Sequence, residues 1–168
     1  MIRPLHIVVM GVAGCGKSAV GKRIAQFLNL PLIEGDDFHP PANKQKMAKG
    51  APLTDDDRAG WLQSLAAKLT EKPGGTVLTC SALKANYRNL LRSQTPSLRF
   101  LHLDITQEEA LRRVAKRLGH FYPPSLVASQ FEALENPAKE PGVLQIDGNL
   151  PRNDVDRLVL AWLENPRI

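Results

Sequence analysis

The sequence predicts an α/β fold: a five-stranded parallel sheet flanked by helices, doubly wound, in a single domain over residues 1–168. Three observations predict it. The run Leu5-His6-Ile7-Val8-Val9-Met10 is rich in β-branched residues, lacks polar alternation and ends at a glycine, as a strand buried on both faces does. Apolar runs of strand length then alternate along the chain with segments of helical period. A glycine-rich turn joins the first strand to the first helix, where open α/β sheets place their ligands.

In chain order, the first strand is followed by Val20, Ile24, Phe27 and Leu28 at helical spacing, which predicts a helix over 17–29 packed on the sheet. Leu32-Ile33 is a short second strand, and 76–80, 98–103 and 143–146 complete the count of five. Between them, Leu62, Leu65, Ala66 and Leu69, then Leu111, Val114, Ala115 and Leu118, then Val155, Leu158, Val159 and Trp162 each form one apolar helix face. Thr106-Gln-Glu-Glu109 reads as a capping box, and Thr54 ahead of Asp55-Asp56-Asp57 reads as a second helix start. No internal repeat, low-complexity tract or linker interrupts the series.

Composition narrows the function. The 168 residues are 43% hydrophobic and 23% charged, enough to bury a core without staples, which excludes disordered and fibrous classes. Cys15 and Cys80 form no Cys-x-x-Cys pair and have no zinc-ligand spacing, so neither a disulfide scaffold nor a structural metal is indicated. The apolar run near the start is too short for a signal peptide's core, and no segment reads as a membrane span, so a cytoplasmic location is expected. A net charge of +5 suits anionic ligands. The few aromatics are not interleaved with basic residues, which disfavours nucleic acid as a partner.

Gly11-Val12-Ala13-Gly14-Cys15-Gly16-Lys17-Ser18 matches the phosphate-loop pattern G-x-x-x-x-G-K-[ST] between a predicted strand and a predicted helix. Its glycines let the backbone wrap a phosphate so that successive N–H groups and the helix N-terminus point at the anion; Cys15 is a small loop residue adding its own N–H. Lys17 is expected to reach the β- and γ-phosphates of ATP and Ser18 to meet Mg²⁺. The bland alternative is a glycine-rich turn. The chain holds no Asn/Thr-Lys-x-Asp guanine-reading motif, and Val77-Leu78-Thr79-Cys80-Ser81 ends without the acid of a motor or transport ATPase. The carboxylates follow the second strand instead, as Glu34-Gly35-Asp36-Asp37. A small-molecule kinase needs a carboxylate there to orient an acceptor hydroxyl and take its proton, which makes Asp36 the candidate. A solvated turn accounts for the same residues equally well.

Glu34-Gly-Asp36-Asp37-Phe-His39-Pro40, the stretch from Asn43 through Gly50-Ala-Pro52-Leu53 to Arg58, and Trp61-Leu62 resemble the gluconate kinase family. So do Cys80-Ser81-Ala82-Leu83-Lys84, Tyr87-Arg88, Leu91-Arg92, Gly119-His120-Phe121, Ser129-Gln130-Phe131 and Leu134-Glu135. The resemblance runs from the phosphate loop to about Pro137. It implies ATP-dependent phosphorylation of D-gluconate at the 6-hydroxyl on a P-loop NTPase fold like that of nucleoside monophosphate kinases, commonly as a homodimer. Gluconate would lie between a flap over 36–62 and a lid over 117–126. Its carboxylate needs a cation and its hydroxyls need polar groups, for which Arg58, Arg88, His39, Lys84 and His120 are available, with Arg58 and Arg88 favoured.

Each has a bland alternative: Arg58 as a helix-surface charge, Lys84 and Arg88 as one solvated face, His39 as the residue ordering a turn before two prolines. Arg113 and Arg117 are an exposed basic stripe or cofactor ligands, Arg117 being the first choice for the lid arginine that offsets charge on the phosphates. Glu34 is expected to hold a metal-bound water. Two departures from the family pattern stand out: Cys15 replaces a common Ser, and Ala59-Gly60 replaces a common residue-Pro pair, which is expected to loosen the helix carrying Arg58. The rival readings are a kinase for a shikimate-like acid, a non-catalytic nucleotide sensor and, last, a nucleic-acid 5′-hydroxyl kinase.

Overall fold

A computed structural model describes residues 3–117 and 123–165. Five strands, β1 (Leu5–Met10), β2 (Leu32–Glu34), β3 (Gly75–Thr79), β4 (Arg99–Asp104) and β5 (Val143–Asp147), form one sheet in the order β2-β3-β1-β4-β5. Every pairing is parallel. The chain leaves β1 toward β2 and β3 on one side and returns to β4 and β5 on the other. The switch in direction therefore falls at the carboxyl end of β1, the crevice where such sheets hold ligands.

Helices cover both faces. Ile7 and Val9 of β1 join a core beneath α1 (Lys17–Leu28), α5 (Gln107–Lys116) and α7 (Arg152–Glu164). Val8 and Met10 join a second core beneath α3 (Asp55–Thr70) and α4 (Ala85–Gln94). The period of two thus divides one continuous apolar run between two cores, and all four side chains are fully buried. Shorter helices α2 (Pro41–Ala48) and α6 (Pro124–Ala133) complete the described chain, each with a proline at its first turn.

Several expectations are corrected. Phe27 does not face the sheet; it is 67% exposed, because the α1 face that meets the strands is Val20, Gly21, Ile24 and Ala25. The Thr106 cap is made, with its hydroxyl accepting the Glu109 N–H, but the reciprocal arm is not: the Glu109 carboxylate turns to Arg112 and Arg113. The full capping box belongs to Thr54, whose hydroxyl accepts the Asp57 N–H while Asp57 accepts the Thr54 N–H. Lys46 also donates to Asp57, and this hydrogen bond, more than the two at the cap, holds the carboxyl down to about 2. From that start α3 runs as one helix through Ala59-Gly60.

Candidate active site

The loop 11–18 leaves β1 and turns into α1 at the switch point. All three of its glycines take positive φ, Gly14 at 83° among them. Gly16 takes φ 101° at the N-cap of α1, and at Gly11 a Cβ would stand 2.7 Å from the Cys15 sulfur and 2.9 Å from the Leu103 carbonyl. Cys15 is buried at the centre of the loop. Lys17 folds over it, its Nζ donating to the Gly11 and Val12 carbonyls at 3.0 Å each. From α6, Gln130 Oε1 accepts the Ala13 N–H at 2.6 Å, which ties the helix beyond the lid region to the loop.

At the edge of the same crevice, β2 and β3 pair Glu34 with Thr79. Glu34 Oε2 accepts from Ser18 Oγ at 3.0 Å and from the Thr79 hydroxyl. Gly35 then passes so close to β3 that a Cβ would lie 2.2 Å from the Thr79 carbonyl oxygen. Its N–H donates to the Thr79 hydroxyl (3.3 Å) and its carbonyl accepts from Trp61 Nε1 (2.8 Å). Pinned on both sides, this residue turns Asp36 away from Glu34 and into the open crevice, with 85% of the Asp36 side chain exposed.

A cleft of about 450 Å³ brings Lys17, Ser18, Asp36, His39, Arg58 and Arg117 together. Arg58, on the first turns of α3, donates to the Tyr87 hydroxyl at 3.1 Å, and that hydroxyl donates to Asp55. The hydrogen bonds from Tyr87 and then Lys84 hold the Asp55 carboxyl below its ordinary value, and the bond to Asp55 raises Lys84. Tyr87 therefore fixes Arg58 at the rim of the cleft, a role that no sequence spacing announces. Arg117 closes α5 as its C-cap and is exposed.

Three expected ligands are engaged by protein groups in this structure. Lys84 is paired with Asp55 at 2.9 Å outside the cleft. Arg88 is fully buried, bound to Glu140 and to the carbonyls of Ala82, Leu83 and Glu135. Arg113 is engaged by Glu109, by the Gly14 and Gly148 carbonyls and by Asn149, so it laces the phosphate loop to the turn after β5. His120, and with it half of the lid expected over 117–126, lies outside the described residues. Among described residues no group of His, Cys, Asp and Glu has the makings of a protein-only metal cage. Cys80, buried just past β3, is pushed up to about 12 by that burial, well away from a reactive thiolate at neutral pH.

Comparison with known proteins shows the family and the fold. Residues 13–137 match the family model described as shikimate kinase. The thermosensitive gluconokinase of Escherichia coli is 44% identical over 146 residues, covering 84% of this chain and 78% of that protein. The gluconokinase of Gluconobacter oxydans is 45% identical over 150 residues, 88% and 84% of the two chains. The chain belongs to the gluconokinase family. A solved gluconokinase from Sinorhizobium meliloti superposes with a TM-score of 0.88 at 44% identity, covering 96% of this chain and 93% of that one. The shikimate kinase of Aquifex aeolicus, at 20% identity and a TM-score of 0.68, shares the fold. Both the shikimate kinase match and this likeness report the common kinase frame, while identity above 40% across most of the chain places it among gluconokinases. The doubly wound P-loop architecture read from the sequence is therefore the observed one.

Proposed function

We propose that this chain transfers the γ-phosphoryl group of ATP to the 6-hydroxyl of D-gluconate, giving 6-phospho-D-gluconate and ADP. The observation that carries this reading is the cleft itself, of about 450 Å³, which Asp36 and Arg58 line together with Lys17 and Ser18. That sets a carboxylate and a guanidinium in one cleft with a phosphate loop in a chain with gluconokinase relatives.

ATP lies along the loop 11–18, with the amides of 13–18 and the α1 N-terminus directed at its phosphates. Two members are already engaged: the Ala13 amide donates to Gln130 and the Cys15 amide to the Val12 carbonyl (3.2 Å). Arg58 takes the gluconate carboxylate, and the flap over 36–62 supplies polar groups to the hydroxyls. Asp36 orients the 6-hydroxyl and accepts its proton as the new O–P bond forms and the bond to the β-phosphate oxygen breaks. Lys17 and Arg117 offset the charge on the transferring group, and closure of the lid excludes water. The hard oxygen donors Ser18, Glu34 and Thr79, gathered on one carboxylate oxygen, fit Mg²⁺, with Ser18 as ligand and Glu34 holding a metal-bound water. When bound, Mg²⁺ supplies charge neutralisation between the phosphates. A homodimer belongs to the same reading and is tested by sedimentation equilibrium.

A panel of sugar acids, with shikimate included because the matched family model is that of shikimate kinase, tests the proposal by following ADP release with MgATP. Turnover with gluconate far above the other acceptors supports it. Turnover with shikimate alone would reassign the acceptor, and ATP binding without transfer to any acid would favour a nucleotide sensor.

A further inference from the structure

We infer that His39 is a positioning residue for Asp36: Asn43 fixes the imidazole as its Nε2–H tautomer, and that N–H holds the Asp36 carboxylate toward the acceptor hydroxyl. The inference rests on the role of Asp36 proposed above. It replaces the expectation that His39 binds substrate directly, since the ring is only 8% exposed and its nitrogens already face protein groups.

Asn43 is a buried side chain on α2. Its Nδ2 donates to the Asp57 carbonyl at 2.8 Å. A carbonyl only accepts and an amide nitrogen only donates, so this bond fixes which way the amide points. The second N–H of the same nitrogen then faces His39 Nδ1, 3.4 Å away. A ring nitrogen opposite a donor presents its lone pair, which leaves the proton on Nε2. Nε2 in turn lies 3.9 Å from Asp36 Oδ1. That distance is longer than a hydrogen bond, and it closes to one when the acceptor draws the carboxylate inward.

Two further contacts hold the ring. His39 stacks on Trp61 with centroids 4.0 Å apart and planes 16° from parallel. The same indole donates to the carbonyl of Gly35, the residue before Asp36. One side chain therefore sets both the plane of the imidazole and the backbone from which the carboxylate projects. Burial lowers the histidine's pKa, and the nearby Arg58 and Lys44 push the same way against the opposing pull of Asp36, so the ring carries a single proton near neutral pH. Among the described residues, His39 is the one basic side chain within 4 Å of the Asp36 carboxylate. Without it, an exposed aspartate visits several rotamers and presents the hydroxyl with the wrong geometry most of the time.

The test compares the wild-type protein with His39→Gln, His39→Leu and Asn43→Leu. Glutamine brings an N–H to the place of Nε2, and leucine does not. A long-range ¹H–¹⁵N correlation spectrum of the wild-type imidazoles should show His39 as Nε2–H. His39→Leu should lower kcat roughly ten- to a hundredfold with KM for ATP unchanged. His39→Gln should recover most of the loss, and Asn43→Leu should mix the tautomers and lower kcat partway. An Nδ1–H tautomer or an imidazolium in the wild type would overturn the inference. So would equal losses in the Gln and Leu variants, or a rise in KM for gluconate at constant kcat, which marks a direct ligand. Should His39→Leu fail to fold, the spectrum and the Gln variant still decide. Should the wild type ignore every sugar acid, the proposed activity fails, while the spectrum still tests the tautomer.

Discussion

Arg88→Met removes a guanidinium whose five N–H groups are all committed inside the protein. Nε is shared between both Glu140 oxygens at 3.0 Å each, one terminal nitrogen donates to the carbonyls of Ala82 (2.7 Å) and Leu83 (3.0 Å), and the other to the Glu135 carbonyl (2.9 Å) and to Glu140. Ala82 is itself in the left-handed region at φ 45°, so the arginine clamps a strained turn after β3 to a segment about fifty residues later. Methionine fills much of the space but accepts none of these contacts. Removing one partner of a buried ion pair costs about 3–5 kcal/mol. Arg92, which also reaches Glu140 at 2.8 Å, keeps the carboxylate partly paired and sets the expectation at the lower end, about 3 kcal/mol. For a chain of this size that lowers Tm by roughly 6–12 °C. Circular dichroism melting measures the shift, and acceptor KM is measured well below the new Tm. A small change in KM beside the large loss of stability is expected. An unaltered Tm with a tenfold rise in KM for gluconate would refute the reasoning and return Arg88 to the substrate.

Asp36→Asn should lower kcat by about 10²–10⁴ while calorimetric titration finds ATP binding retained; near-normal turnover would remove Asp36 from the mechanism. Gly35→Ala sets a Cβ 2.2 Å from the Thr79 carbonyl, so the backbone must move, and urea unfolding should show a loss near the top of the overpacking range, about 3 kcal/mol. Acid should destabilise the protein in a defined window. Asp57, held to about 2 chiefly by Lys46, and Glu109, held to about 2 by Arg112 and Arg113, are depressed in the folded state. In Glu140, the hydrogen bonds of Arg88 and Arg92 outweigh a burial effect that by itself would raise the carboxyl, leaving it below its ordinary value. Their contribution is therefore complete above the unfolded carboxyl range near 4 and is lost as pH falls from about 4 toward 2. Stability that stays flat across that window would contradict the ion pairs.

Elements governed by local rules were legible from the sequence. The β-branched run of β1, the glycines at 11 and 16 and the start at Thr54 each state their structure within a few residues, and the structure has all three. Helices α2, α4 and α6 were less so, although Pro41 and Pro124 sit at first-turn positions that favour helix starts. The two favoured arginines show where local reading ends. Arg58 and Arg88 both occupy helices, and Arg88 has a lysine four residues earlier, which is the spacing of a solvated face. What separates them is a partner: Arg58 meets the Tyr87 hydroxyl at the rim, and Arg88 meets Glu140, 52 residues away in the chain. Phe27 illustrates the same limit, since helical period defines an apolar arc and the neighbouring strands decide which part of it is covered.

Gly35 sets the two neighbouring acids of the site on different courses. As a sequence feature, a glycine between two carboxylates signals a turn, and that reading leaves Glu34 and Asp36 as equivalent solvated acids. The strand beside it makes them different. Because β2 approaches β3 too closely for any Cβ at 35, Glu34 stays in register with Thr79 and turns toward Ser18, on the side of the phosphates. Asp36, one step past the constriction, leaves the sheet and lines the cleft with Arg58 and His39. In the proposed mechanism, two acids with the same chemistry are thereby divided between the two substrates by one close backbone contact. Gly35→Ala should therefore depress kcat even in the fraction that remains folded, whereas a variant that merely loosened the sheet would keep its turnover per folded molecule.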